Sequence, residues 1–192
     1  MYMDFPRNAD ITIIGKHTNA YQFLHAIKGT TIGLNQAALA HKTDFAMTGH
    51  QVIYNMLKAT DYHPERIIAT NPMFEPPSHV QAKHHINYLH KTDIINLKPY
   101  SYEQVEHFVK LATTRGTAAN YPNWWTILHL AIFFAICHHP KSITIIGCDN
   151  TPAPYSPYPD MLHHDYVRQH TQHLVNATNA AGISCNWLTL TP

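Results

Sequence analysis

A chain of 192 residues suits one compact domain, long enough to bury a sizeable core without disulfides or structural metals. Hydrophobic residues make up 45% and charged residues 13%, a charged share about half the usual ~25%, which excludes disorder as the main state. Lys and Arg number 13 against 12 Asp and Glu, so a net charge of +1 provides no broad field for a phosphate backbone, and no nucleic-acid partner is expected.

The chain opens with MYMDFPRNADITIIG, which lacks a basic region followed by a long apolar run, so no signal peptide is expected. Short β-branched runs follow near 10–15, 31–34, 44–48, 66–70, 93–97, 142–147 and 183–190 and read as strands. Helical spacing separates them near 18–27, 36–41, 50–58, 81–90, 102–114, 123–138 and 163–180. Such alternation predicts an α/β fold: a single domain over 1–192 with a mostly parallel Rossmann-like sheet and helices on both faces. The stretch 123–138 is apolar almost all round, so its Phe residues and Trp124 and Trp125 are expected in the core. Its apolar run is too short to span a bilayer. Two proline-rich stretches, 71–80 and 151–160, follow predicted strands, where open α/β sheets place their ligand crevice.

Cys137, Cys148 and Cys185 are widely spaced and form no CxxC pair, which argues against a disulfide framework or zinc ribbon and suits a cytoplasmic protein. The 17 histidines look like surface groups standing in for missing Lys and Glu. The pairs His84/His85, His138/His139 and His163/His164 diverge on helices, and His170 with His173 would need ligands from elsewhere, so no metal site is expected. A homo-oligomer is left open.

Chemistry is expected at the predicted strand ends. The first strand runs into Gly15-Lys16-His17-Thr18-Asn19, a turn whose amides can face an anion or simply redirect the chain. GxGxxG and GxxxxGK[ST] are both absent, which sets aside NAD-binding and P-loop readings. Asn35, where the second strand ends, can read a base or ribose edge or cap the helix that follows. After the sixth strand, Asp149 is either a ligand contact or a turn residue. Tyr155 and Tyr158 could donate hydrogen bonds to a departing phosphate, and His163 or His164 could take a proton from an acceptor hydroxyl.

Four stretches together carry a family likeness: ITIIGKHTNAYQF, TIGLNQAALAHKTDFAMTG, WTILHLAIFFAICHHPKSITIIGCDN and HHDYVRQHTQHLVNATNAAGISCNWLTLTP. In this order the chain resembles the sialyltransferases of glycosyltransferase family 42 and the related MptE-like (DUF115) proteins. The resemblance implies a variant of the GT-A fold that binds a nucleotide sugar, CMP-linked, and transfers the sugar to a hydroxyl acceptor without a metal or other cofactor. By position it would place Gly15, His17, Thr18, Asn35, Thr126 and Asp149 at the nucleotide, Tyr155 and Tyr158 at the leaving phosphate, and His164, or His163 beside it, as general base. His17 stands where the family turn carries its second glycine, and Trp125 stands where glycine precedes the small hydroxyl residue. The alternatives are an MptE-like pterin pyrophosphokinase, which would need magnesium on ATP, and a non-catalytic nucleotide-binding module.

Overall fold

The computed structural model describes residues 5–16, 18–61, 66–69, 87–88, 102–115, 126–149 and 164–189. Strands β1 (Asp10–Ile14), β2 (Thr30–Leu34), β3 (Phe45–Thr48), β4 (Arg66–Ala69), β5 (Asn87–Tyr88), β6 (Ser142–Ile146) and β7 (Ser184–Trp187) form one sheet. Its order is β5-β4-β3-β2-β1-β6-β7, and every neighbouring pair is parallel. The chain therefore builds outward from β1 in one direction, then returns to the other side of β1 to lay down β6 and β7.

Alternation along each strand sorts the core onto two faces. Ile11, Ile13, Ile32, Leu34, Phe45, Met47, Ile143 and Ile145 face helices α3 (Tyr102–Arg115), α4 (Ile127–Cys137) and α5 (His164–Ala180). Ile14, Ala46, Ile67 and Ile146 face the opposite layer, made of a 3-10 helix (Thr18–Ala26), α1 (Gln36–His41) and α2 (Gln51–Ala59). Burial on both faces is why these strands read as nearly continuous apolar runs. Within α4, every residue from Leu128 to Cys137 is buried, in keeping with its apolar circumference. Phe134 packs its ring on Phe5 and on His138, with centroids 4.9 and 4.5 Å apart.

The outer edge of β7 is blocked at Cys185 by a side chain. Asn179 donates from Nδ2 to the Cys185 carbonyl and accepts from the Cys185 amide, both at 2.9 Å, so its amide imitates a further strand. An edge occupied in this way cannot pair there with another chain.

Three elements and two side chains differ from expectation. The stretch 18–27 forms a 3-10 helix rather than an α-helix. Asn87–Tyr88, inside the expected helix 81–90, is a strand paired with Ile68–Ala69: the apolar run there has no decisive period, and pairing with β4 settles it. The helix expected from 123 begins at Ile127, because Thr126 has extended backbone (φ −139°) and its hydroxyl accepts from the His129 amide at 3.4 Å, a capping arrangement. Finally, His129 and His170 are not surface groups; they are 0% and 5% exposed in the α4–α5 layer. The expected strand 93–97, both proline-rich stretches, Trp124 and Trp125 lie outside the described residues.

Candidate functional site at the carboxyl edge of the sheet

Strand order reverses between β1 and β6, so the connections leaving these two neighbours diverge to opposite sides. At such a reversal a crevice opens beyond the carboxyl ends of the strands. Two glycines form a closely packed floor beneath the strand ends here. The Gly15 amide donates to the Ile146 carbonyl at 2.8 Å, and a side chain at Gly15 would overlap the Gly147 carbonyl and the Cys148 Sγ. Gly147 has φ +66°, and a Cβ there would come within 2.7 Å of both the Ala20 Cβ and the Gly15 carbonyl oxygen. The single glycine of the β1 turn is thus matched by a second one from β6, and together they let two strand ends and the 3-10 helix meet.

Above this floor Asn19 and Asp149 are 2% and 7% exposed, and Asn19 Nδ2 donates to Asp149 Oδ2. This bond ties the start of the 3-10 helix to the end of β6, a role for Asn19 that the sequence reading did not give it. The signal available was its place four residues after Gly15, one turn into the segment leaving β1. Lys16 lies between them and is exposed. Cys148 is buried; desolvation and, next, the charge of Asp149 push its thiol well above the usual range, while a hydrogen bond with the Gly15 backbone opposes the shift. A thiol held protonated in this way is packing, not a nucleophile.

Asn35 stands next along the edge. Gly33, two residues before it, is registered with Ile14, so the end of β2 lies beside the end of β1. The side chain of Asn35 makes no cap hydrogen bond to α1, which removes the capping reading. Its backbone is at φ 51°, ψ −123°, a region that residues with a Cβ seldom occupy. Such a conformation costs about 1–3 kcal/mol and persists only where its surroundings hold it. Here the Asn35 amide donates to the Met47 carbonyl at 2.9 Å, and Asn35 Oδ1 accepts from the Thr48 hydroxyl at 3.0 Å. Thr48, wholly buried at the end of β3, was not singled out in the sequence; a threonine closing a strand has no signature of its own.

Two further helices open at this edge. His139 and Lys141, which follow α4, bond to Asn8 and Ala9 at the opposite, amino edge, so Thr126 at the other end of α4 lies toward the carboxyl edge. The connection from α5 to β7 is equally short, and α5 begins at His164. Of the predicted site residues, Gly15 packs against Gly147 and Cys148, which immediately precede Asp149, Asn35 follows the adjoining strand β2, and Thr126 caps α4. Thr18 opens the 3-10 helix, its side chain, like that of His164, falling outside the described residues together with His17, Tyr155, Tyr158 and His163. Among the described residues no group of three His, Cys, Asp or Glu side chains is arranged to hold a metal ion, and no helix is long and apolar enough to cross a membrane. Comparison with family models, with characterised proteins and with solved structures found no match.

Proposed function

We propose that this chain binds a nucleotide at the carboxyl edge of β1 and β6 and acts as a sugar transferase that takes a nucleotide-sugar donor. The observation that carries the first half is the strand-order reversal between β1 and β6, where Gly15 and Gly147 bring two strand ends together under the Asn19–Asp149 bond and the strained Asn35 closes the adjoining strand β2. Backbone strain held in place by buried hydrogen bonds is concentrated at functional positions more often than elsewhere.

The second half rests on the resemblance to family 42 sialyltransferases. In that reading the acceptor hydroxyl attacks the anomeric carbon, the bond from that carbon to the phosphate oxygen breaks, and the hydroxyl proton passes to His164 or His163. Tyr155 and Tyr158 would stabilise the charge that grows on the leaving phosphate. The donor is CMP-linked on this account, and the reaction runs without a bound metal.

Thermal melting with CMP, CDP, UDP and ATP, with and without EDTA, tests the reading. Ligand at 100 times its Kd stabilises by about 2.7 kcal/mol. CMP or CDP is expected to raise the Tm more than UDP or ATP, with EDTA making no difference. A shift produced only by ATP with magnesium would replace it with the pterin pyrophosphokinase reading. CMP binding without turnover of any CMP-sugar would reduce the protein to a nucleotide-binding module.

A further inference from the structure

Charge is distributed unevenly between the two ends of the sheet. Each of the four adjoining strands β3, β2, β1 and β6 is entered by one exposed basic residue: Lys42 three residues before Phe45, Lys28 two before Thr30, Arg7 three before Asp10 and Lys141 immediately before Ser142. Parallel neighbours lie about 4.8 Å apart, so the four entries form a row roughly 15 Å long across the amino edge. Hydrogen bonds hold the backbone of this row in place. Lys28 bonds through its amide and its carbonyl to the Thr12 hydroxyl at 3.0 and 2.9 Å, the Lys141 amide donates to the Ala9 carbonyl at 2.9 Å, and the Asn8 amide donates to the His139 carbonyl at 3.0 Å. The carboxylates at this edge are bonded within the fold, Asp10 to the Ser142 hydroxyl and Asp44 to the amide and hydroxyl of Thr31. In the three residues that follow each of the same strands, the Lys, Arg, Asp and Glu residues are Lys16 and the buried Asp149, which balance.

Apolar surface adjoins the row. Tyr21 and Leu24, on the 3-10 helix that leads to Lys28, are 63% and 38% exposed, and the Tyr21 ring packs on that of His41, the neighbour of Lys42, with centroids 5.2 Å apart. We infer that the amino edge is a docking face for an anionic lipid bilayer: Arg7, Lys28, Lys42 and Lys141 meet the acidic headgroups, while Tyr21 and Leu24 enter the headgroup boundary. Cations near an anionic surface and aromatic or aliphatic side chains at the interface are the two contributions on which such docking draws. A nucleic acid would meet the same cations but would gain nothing comparable from Leu24. This face lies at the opposite end of the strands from the proposed nucleotide site, and the inference does not depend on that reading.

Cosedimentation of the full chain with lipid vesicles tests the assignment. Binding is expected to vesicles of phosphatidylcholine with phosphatidylserine (about 3:1), not to phosphatidylcholine alone, and should fall steeply toward about 1 M salt, where the Debye length is about 3 Å. Lys28→Gln, Lys42→Gln and Lys141→Gln should each weaken it about fivefold, the worth of one basic residue near an anionic surface. Lys110→Gln makes the same change of charge at an exposed position of α3 and should bind as wild type does. Tyr21→Ser should weaken binding several-fold while leaving its salt dependence in place. All five changes are at exposed positions, and unchanged melting confirms that each variant is folded. No binding to the mixed vesicles, equal weakening by Lys110→Gln, or wild-type binding in the three edge variants or in Tyr21→Ser overturns the inference. Tighter binding to duplex DNA than to the mixed vesicles overturns it as well and assigns the row to a nucleic acid. Each of these outcomes leaves CMP binding, and with it the nucleotide reading, to be decided by its own titration.

Discussion

The two faces of the sheet are built to different standards. On one, α4 lies across β1, β2 and β3 with ten consecutive residues buried, flanked by α3 and α5. On the other, a 3-10 helix, the six-residue α1 and the nine-residue α2 form a thinner cover. The exposed large apolar side chains among the described residues, Tyr21, Leu24, Val52 and Met56, all belong to that thinner layer. Short 3-10 segments have poorer hydrogen-bond geometry than α-helices, so each residue there contributes less to holding the fold. The connections of the thin layer, not the thick one, carry Gly15, Asn19 and Asn35. The strained backbone of Asn35 therefore lies on the side of the thinner cover, together with Gly15 and Asn19 of the proposed site.

The largest expected effect comes from opening the thick face. Phe134 is 1% exposed between Phe5 and His138, and Phe134→Ala should cost about 3–5 kcal/mol in urea unfolding. A loss below about 1 kcal/mol would mean that the two faces do not differ as described.

Acid should weaken the same face. His129 is wholly buried, and its Nε2 lies 2.9 Å from the Thr171 hydroxyl, which itself donates to the Val167 carbonyl at 2.9 Å. Because the threonine proton is already given away, Nε2–H of a neutral His129 is the donor. Burial, and secondarily His170, lower its pKa from 6.5 to about 3. The unfolded chain therefore takes up this proton first as pH falls, so the contribution of His129 is intact above pH 6.5 and is lost progressively between 6.5 and about 3. At ~1.4 kcal/mol per pH unit, roughly 2 kcal/mol should disappear between pH 6.5 and 5. Chemical denaturation of His129→Gln, which keeps an N–H donor but does not titrate, should show a flatter pH profile; an unchanged slope would place the acid sensitivity elsewhere.

The thin layer sets a smaller test. Asn35→Gly and Asn35→Ala both remove the amide and its bond to Thr48, but only glycine is at ease at φ 51°. The glycine variant should therefore be more stable than the alanine variant by about 1 kcal/mol or more, with both losing nucleotide affinity. Equal stabilities would show that no strain is held there. At the small end, Val52→Glu and Met56→Glu, on exposed positions of α2, should alter stability by less than about 0.5 kcal/mol.

Much of the architecture was legible because burial on both faces writes itself into composition. The runs ITII at β1 and β6 and the apolar circumference of α4 announce a parallel sheet under a buried helix. Less was legible where tertiary pairing decides: Asn87–Tyr88 has no alternation of its own, and the start of α4 turned on whether Thr126 would cap. The rim was legible as positions and not as partners. Gly15, Asn35 and Asp149 mark strand ends, whereas the Gly15–Gly147 contact, the Asn19–Asp149 bond and the Thr48 tether join residues that share no spacing in the chain. The buried His129–Thr171 contact was hidden for a different reason: among 17 histidines, nothing in the sequence distinguishes the one that a facing helix covers.

The most direct test of ligand binding at the β1/β6 reversal is a titration of the isotope-labelled protein with CMP, followed by amide chemical shifts. The largest shifts are predicted at Gly15, Asn19, Asn35, Gly147 and Asp149, with the α4 amides from Leu130 to Cys137 nearly still. Shifts centred on Val52 and Met56, or none at saturating CMP, would contradict the account.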